Sequence, residues 1–326
     1  MKATARANTN IALIKYWGKR DEQLFLPMNS SLSITLDQYY TVTTVEFIEE
    51  LTKDMLVLNH TLADMKEQIK ISAFLDIIRE KAGIQLYAMI KTQNHVPTAA
   101  GFASSASGYA ALAAAASRAI GLSLTNEELS RIARQGSGSA CRSVFGGYVE
   151  WEKGYRADGR DSFAHQILDE KSWTLSILSV LITSRKKGVS SRDGMKRTVE
   201  SSPFYQGWLA TISEDLDMAK QAIKNRDLDC LGEVIEGNAL KMHATMLGAK
   251  PPVFYWESGT LEVMHCIREL RQQGILVYFT IDAGPNVKVI CETDKEELVK
   301  QTLISLSGVQ SVIACRPGEG VSYVSE

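Results

Sequence analysis

Apolar and polar positions alternate between two periods along this chain, and the switches mark its elements. Tyr40 to Phe47 (YTVTTVEF) is rich in β-branched and aromatic side chains and predicts a strand. From Met65 to Lys81 the apolar residues recur at helical spacing, and Gly83 follows as a C-cap. Ile84 to Ile90 alternates like a strand again. A loop of small and turn-forming residues (His95 to Phe102) then leads into an alanine-rich helix from Ser104 to about Ile120, closed by Gly121. Thr125 with Glu128 forms a capping box for a helix ending near Gly136.

Leu175 to Thr183 is a nearly continuous apolar run of strand length, the pattern of a buried strand. The domain change is placed just before it, giving an N-terminal domain over residues 1–172 and a C-terminal domain over 173–326. Glu200 to Leu247 is helical in pattern with few breakers. Beyond Pro251-Pro252 come a helix (Thr260 to Gln273), strands at Ile275–Ile281 and Val287–Cys291, a helix starting near Asp294, and strand-like closing segments. Strands and helices mixed in this way predict an α+β or α/β architecture, with two compact domains sharing a cleft.

Composition narrows the classes. The 326 residues suit about two domains, and 45% hydrophobic with 23% charged residues is ordinary for a globular chain. Thirty-six Lys and Arg against 38 Asp and Glu argue against a nucleic-acid or membrane-surface binder. The five cysteines are widely spaced, with no CxxC pair and no HExxH, so no zinc or dithiol motif is present. No apolar run is long enough to span a bilayer, and the N-terminus lacks a signal-peptide core. A reduced, cytoplasmic protein is expected.

Five segments carry candidate chemistry. In PTAAGFASSASG (Pro97 to Gly108), small residues feed straight into a helix, whose unpaired N–H groups favour phosphate; an ordinary capped alanine helix is the alternative. GSGSACRSVFGG (Gly136 to Gly147) surrounds Arg142 with glycines and serines, leaving room for a ligand beside a guanidinium fork. A buried structural arginine is the plainer reading. Residues 185–197 hold six basic side chains and one acid, which makes either a solvated face or an anion trap. Asp282 ends an apolar strand before Ala-Gly-Pro-Asn, as an Asx-turn or as a positioned acid or base. NIALIKYWGKR (Asn10 to Arg20) groups Lys15, Tyr16, Lys19 and Arg20 around an aromatic-glycine turn; singly, these lysines read as surface charges.

Taken together, NIALIKYWGK, LPMNSSLSITL, PTAAGFASSASG, GSGSACRS, VSSRDGMKRT, FYQGW, LKMHATMLGA and YFTIDAGPNVKV resemble the mevalonate diphosphate decarboxylases. These belong to the GHMP kinase superfamily, with galactokinase, homoserine kinase, mevalonate kinase and phosphomevalonate kinase. The match runs in order from Asn10 to about Val289. It implies a two-domain α+β, GHMP-kinase-like fold: a first domain like domain 2 of a small-subunit ribosomal protein, a ferredoxin-like second domain, and the active site between them. It also implies ATP as co-substrate, Mg2+, a homodimer, and conversion of (R)-5-diphosphomevalonate to isopentenyl diphosphate with release of ADP, phosphate and CO2. A kinase that stops after phosphorylating the 3-hydroxyl, or a non-catalytic ligand-binding relative, are the alternatives.

By the same resemblance, Asp282 contacts the 3-hydroxyl, Lys19 sits near the transferring phosphoryl, and Arg142 holds the substrate carboxylate. Tyr16, Ser137, Ser139, Ser191 and Arg192 join Lys19 and Arg142 as substrate-binding residues. Thr92, Pro97, Ala100, Gly101, Ala103, Ser104, Ser105, Ser107 and Lys187 are the expected ATP contacts. The direct metal ligands are left open. The departures are Phe102 for a usual Leu, Asn8 for a common His, and Thr92 for a frequent Ser; none touches Lys19, Arg142, Arg192 or Asp282.

Overall fold

The computed structural model describes residues 1–95, 104–185 and 187–324. The long first strand, β1 (Lys2–Ile14), pairs antiparallel with β4 (Ser31–Ile48); between them a small hairpin, β2 (Lys19–Asp21) and β3 (Leu26–Pro27), projects sideways. β5 (Met55–Leu58) and β6 (Thr61–Leu62) precede helix α1 (Met65–Ala82), capped by Asp64 at its start and by left-handed Gly83 at its end. β7 (Tyr87–His95) pairs with β4, and the alanine-rich α2 spans Ser104–Ala119. Helix α3 (Asn126–Gly136) opens with the expected Thr125–Glu128 capping box and continues into a 3-10 helix over Gly138–Val144. β8 (Tyr148–Trp151) and β9 (Ala164–Leu168) complete a branched sheet.

A second, four-stranded antiparallel sheet has the order β11-β12-β10-β13. It uses β10 (Ser176–Leu181), β11 (Val277–Ile281), β12 (Val287–Cys291) and β13 (Ser311–Cys315). Its helices are α4 (Ser191–Ser201), α5 (Tyr205–Asn225), α6 (Leu228–Leu247), α7 (Ser258–Gln272) and α8 (Glu296–Ile304). The final strand, β14 (Ser322–Val324), returns to pair with β1 in the first sheet.

Two boundaries differ from the pattern reading. The strand expected at Ile84–Ile90 begins only at Tyr87 and runs on to His95, because pairing with β4 extends to Tyr40. β1 and the first half of β4 escape a period-2 reading because both faces are buried there: Ala5, Ala7, Ile11, Ala12, Leu13 and Ile14 are all in the core. Small residues along β1 let α2 lie on one face, where Ala110 to Ala116 pack with Ala5, Ala7 and Val45.

On the other face a single apolar cluster crosses between the sheets. It joins Ile11, Leu13, Ile14 and Trp17 to Tyr205, Trp208, Met242, Met246 and Tyr278. This shared core fixes β1, and the turn that follows it, against the helices of the second half. The functional side chains sit along that seam.

Candidate active site

The site grows from the end of β1. Lys15 closes the apolar strand and is only 1% exposed. Its backbone N–H donates to Asn238 Oδ1 at 2.9 Å, and its carbonyl accepts from Asn29 Nδ2 at 2.8 Å. Two amide side chains therefore fix the chain where the strand stops. Gly18 then turns it with φ +109°, and a Cβ there would lie 1.9 Å from Tyr205 Oη. Tyr205 Oη donates to Trp17 O at 2.7 Å, so only glycine admits this lock. The turn delivers Tyr16 and Lys19 to one side of the chain. Tyr16 meets Trp151 edge-on, and a Cβ on Gly138 would come within 2.9 Å of both rings.

From the second sheet, β11 ends at Asp282, whose carboxylate accepts from Lys15 Nζ at 2.7 Å. Asp282 keeps 39% of its side chain open, so it is paired yet reachable from the cavity it lines. Burial alone would raise its pKa; Lys15, Lys288 and Arg142 outweigh that and hold it at about 2. Burial pushes Lys15 and Arg142 down, with Asp282 opposing. Lys288, buried on β12, is brought to about 8 by the same desolvation, against the pull of Asp282.

Arg142 lies in the 3-10 helix and is 2% exposed. Its Nη1 donates to Ser31 Oγ at 2.6 Å, while Nε and Nη2 donate to Asn10 Oδ1 at 3.3 and 3.2 Å. Asn10 in turn donates to Ser139 O and Ser143 Oγ. A buried guanidinium satisfied by neutral oxygens keeps an uncompensated positive charge, which suits an incoming carboxylate. Lys187 Nζ bridges Ser191 Oγ and Ala283 O, both at 2.7 Å. Ser137 Oγ lies 3.3 Å from Ser105 Oγ and 3.4 Å from Ser139 Oγ.

These groups line one cavity of about 410 Å³. Its wall carries Lys15, Lys19, Lys70, Arg142, Lys187 and Arg192 against the single carboxylate of Asp282, so the site takes a polyanion. A second cavity of about 230 Å³ shares Lys70, Ser105 and Tyr109 with the first. Leu56, Ile71 and Leu112 give it apolar walls, and Thr92 and Asn94 supply polar edges. This combination fits a heteroaromatic base beside its phosphates.

The structure brings together Tyr16, Lys19, Ser105, Ser137, Ser139, Arg142, Lys187, Ser191, Arg192 and Asp282 around the larger cavity, and Thr92 around the smaller. Ser107 is placed elsewhere. It is fully buried, with its hydroxyl between Thr9 and Thr41, and it lines neither cavity, so its position is structural. Pro97, Ala100, Gly101 and Ala103 lie outside the described residues, as does the side chain of Ser104. Lys15, Asn10, Lys70, Tyr109 and Phe25 are cavity residues that the sequence reading did not assign to the site.

The donor set also bears on magnesium. Around the larger cavity the protein offers one carboxylate, already paired to Lys15, together with serine hydroxyls. That fits a cation carried largely by nucleotide phosphates and water, with Ser105 lining both cavities where they adjoin. Glu150, Glu152 and His165 form a compact group on β8–β9, but Lys220 sits 3.4 Å from Glu150, and none of the three lines either cavity.

Comparison with known proteins agrees with this geometry. Residues 7–164 match the diphosphomevalonate decarboxylase-like N-terminal domain, and residues 177–319 match the mevalonate 5-diphosphate decarboxylase C-terminal domain. The diphosphomevalonate decarboxylase of Schizosaccharomyces pombe is 38% identical over 324 residues, covering 94% of this chain and 82% of the relative. Mevalonate diphosphate decarboxylase from Staphylococcus aureus superposes with a TM-score of 0.95 at 47% identity, over 99% of this chain and 98% of the other. A structure of MDDEF in complex with MVAPP, AMPPCP and magnesium superposes with a TM-score of 0.94 at 49% identity, over 100% and 99%. With a cation-rich cavity, a paired aspartate and a smaller cavity adjoining it, the chain belongs to the diphosphomevalonate decarboxylase family.

Proposed function

We propose that this chain catalyses the ATP-dependent decarboxylation of (R)-5-diphosphomevalonate to isopentenyl diphosphate in isoprenoid synthesis, releasing ADP, phosphate and CO2. The observation that carries the reading is the Lys15–Asp282 pair opening into a cavity whose other charged lining residues are all cations, beside buried Arg142. The likeness to a structure holding MVAPP, AMPPCP and magnesium supports the same substrates here.

The chemistry follows from the placement. The 3-hydroxyl oxygen attacks the γ-phosphorus of ATP, the bond to the ADP oxygen breaks, and the hydroxyl proton passes late, to Asp282 or to an oxygen of the transferred phosphoryl group. Asp282, ionised with a pKa of about 2, accepts a hydrogen bond from that hydroxyl and aims its lone pair. A carboxylate so acidic is a weak base, so orientation and charge contribute more than proton abstraction, as a loose phosphoryl-transfer transition state requires. Lys19 offsets the charge developing on the transferring group. The 3-phosphate then leaves with the C–O electron pair. Arg142 holds the C1 carboxylate in place, the C1–C2 electrons form the new double bond, and CO2 departs. Tyr16, Ser137, Ser139, Ser191 and Arg192 hold the diphosphate end and the C1 end. Thr92, Ser105 and Lys187 take the nucleotide, together with the segment from Pro97 to Ser104. Magnesium, when bound, neutralises phosphate charge.

We propose further that residues 1–172 and 173–326 are the two functional halves, and that the protein works as a cytoplasmic homodimer. All five cysteines are free, which suits a reducing compartment. Among the described residues no helix is long and apolar enough to cross a membrane.

The deciding experiment supplies ATP, Mg2+ and (R)-5-diphosphomevalonate and measures ADP and CO2 together. Equal release is expected. ADP without CO2 would make the protein a kinase that stops at the 3-phosphate, and would remove the role given to Arg142.

A further inference from the structure

Phe25 has a backbone that a bulky side chain rarely adopts. Its φ is +53°, in the left-handed region where an L residue crowds its own carbonyl. It sits in the turn of the β2–β3 hairpin, and both flanks are tied down. Leu24 N–H donates to Asp21 Oδ1 at 2.7 Å, and Leu24 O accepts from Arg134 Nε at 3.1 Å. Leu26 is fully buried and pairs with Asp21 across the hairpin. The turn is over-determined by its neighbours, so the strain is held rather than relaxed.

What the strained backbone delivers is the placement of a ring. Phe25 lines the larger cavity, with Lys19 Nζ 4.3 Å from the ring centroid and Arg192 Cζ 5.6 Å from it. The two cations come from different parts of the fold, Lys19 from β2 and Arg192 from the first turn of α4. Two like charges converging on one end of a cavity repel. An aromatic face between them attracts both and holds each long side chain to one position. Glu22 also accepts from Lys19 Nζ at 2.5 Å and is 64% exposed, so the ring shares the hold on Lys19 with a surface carboxylate.

We propose that Phe25 is a positioning residue that holds Lys19 and Arg192 over its ring, Arg192 ready for the substrate diphosphate and Lys19 for the transferring phosphoryl. The inference rests on the reading of those two cations given above. It adds a residue whose side chain carries no charge or hydrogen-bonding group, and it gives a role to a phenylalanine at a left-handed position.

Steady-state kinetics on the full chain test it, with ATP and Mg2+ saturating and (R)-5-diphosphomevalonate varied. Phe25→Leu keeps an apolar side chain but removes the aromatic face, and its KM is expected to rise about 5- to 10-fold through Arg192, with a fall in kcat through Lys19. Phe25→Tyr, which keeps the face, restores the KM lost in Phe25→Leu. Phe25→Gly relieves the backbone but removes the whole ring, and its KM rises as in Phe25→Leu. In an Arg192→Ala background, Phe25→Leu adds no further rise. An unchanged KM in Phe25→Leu or Phe25→Gly, while Arg192→Ala raises it, overturns this inference alone. An unchanged KM in Arg192→Ala overturns the reading of Arg192 and this inference with it. Should Phe25→Leu melt below the assay temperature, Phe25→Gly carries the same comparison.

Discussion

Replacing Lys15 with methionine isolates the interaction on which the site turns. The side chain is nearly isosteric, so packing against the end of β1 is kept while the ammonium is lost. At 2.7 Å, the gross attraction between Lys15 and Asp282 is about 6 kcal/mol with an effective dielectric of 20. The net loss is smaller. Lys15 also gives up the desolvation cost of a charge only 1% exposed, and Asp282 retains Lys288 and Arg142 as compensating charges. A cost of about 2–3 kcal/mol in transition-state binding remains, or about 30- to 150-fold in kcat/KM. The assay is ADP release at limiting (R)-5-diphosphomevalonate for Lys15→Met, Asp282→Asn and the double variant. If the pair acts as a unit, the double variant is little worse than the poorer single one. Strictly additive losses, or a Lys15→Met variant within about threefold of the parent enzyme, would refute the claim that Lys15 holds Asp282 for the reaction.

Other perturbations reach the remaining charges. Arg142→Met removes the buried guanidinium and leaves Asn10 Oδ1 and Ser31 Oγ without their donors. A loss of about 2–5 kcal/mol in transition-state binding is expected, with CO2 falling more than ADP, read from the ratio of the two products. Asp282 is depressed to about 2 from 3.8, so the stability it contributes is present above pH 4 and lost as pH falls from 4 to 2. Urea midpoints over that range should decline more steeply for the parent chain than for Asp282→Asn. Lys288 is lowered from 10.5 to about 8, so between pH 8 and 10.5 the unfolded chain holds a proton that the folded chain has released. Stability relative to Lys288→Met should therefore rise with pH across that window; a flat difference would mean that the folded lysine keeps its ordinary proton affinity.

The parts of this protein that are local in origin were legible in the chain. The capping box at Thr125 and Glu128, the left-handed stop at Gly83 and the strand ending at Asp282 each depend on a few adjacent residues, and each stands where the pattern put it. The recurrence of short motifs also identified the family, and six of the eight motifs contribute residues to one cavity. Burial was not legible. Lys15 reads as a surface charge until β1 is seen between α2 and the second half of the fold. Ser107 reads as a phosphate ligand until its place on α2 turns it toward Thr9 and Thr41. Phe25 carries no motif at all; its role depends on a backbone torsion and on two cations that the chain separates by 173 residues. Sequence determines which elements form, because propensities and caps act over a few residues. Only the tertiary structure decides which side chains share a cavity and what charge each one feels, because those depend on distances between segments far apart in the chain.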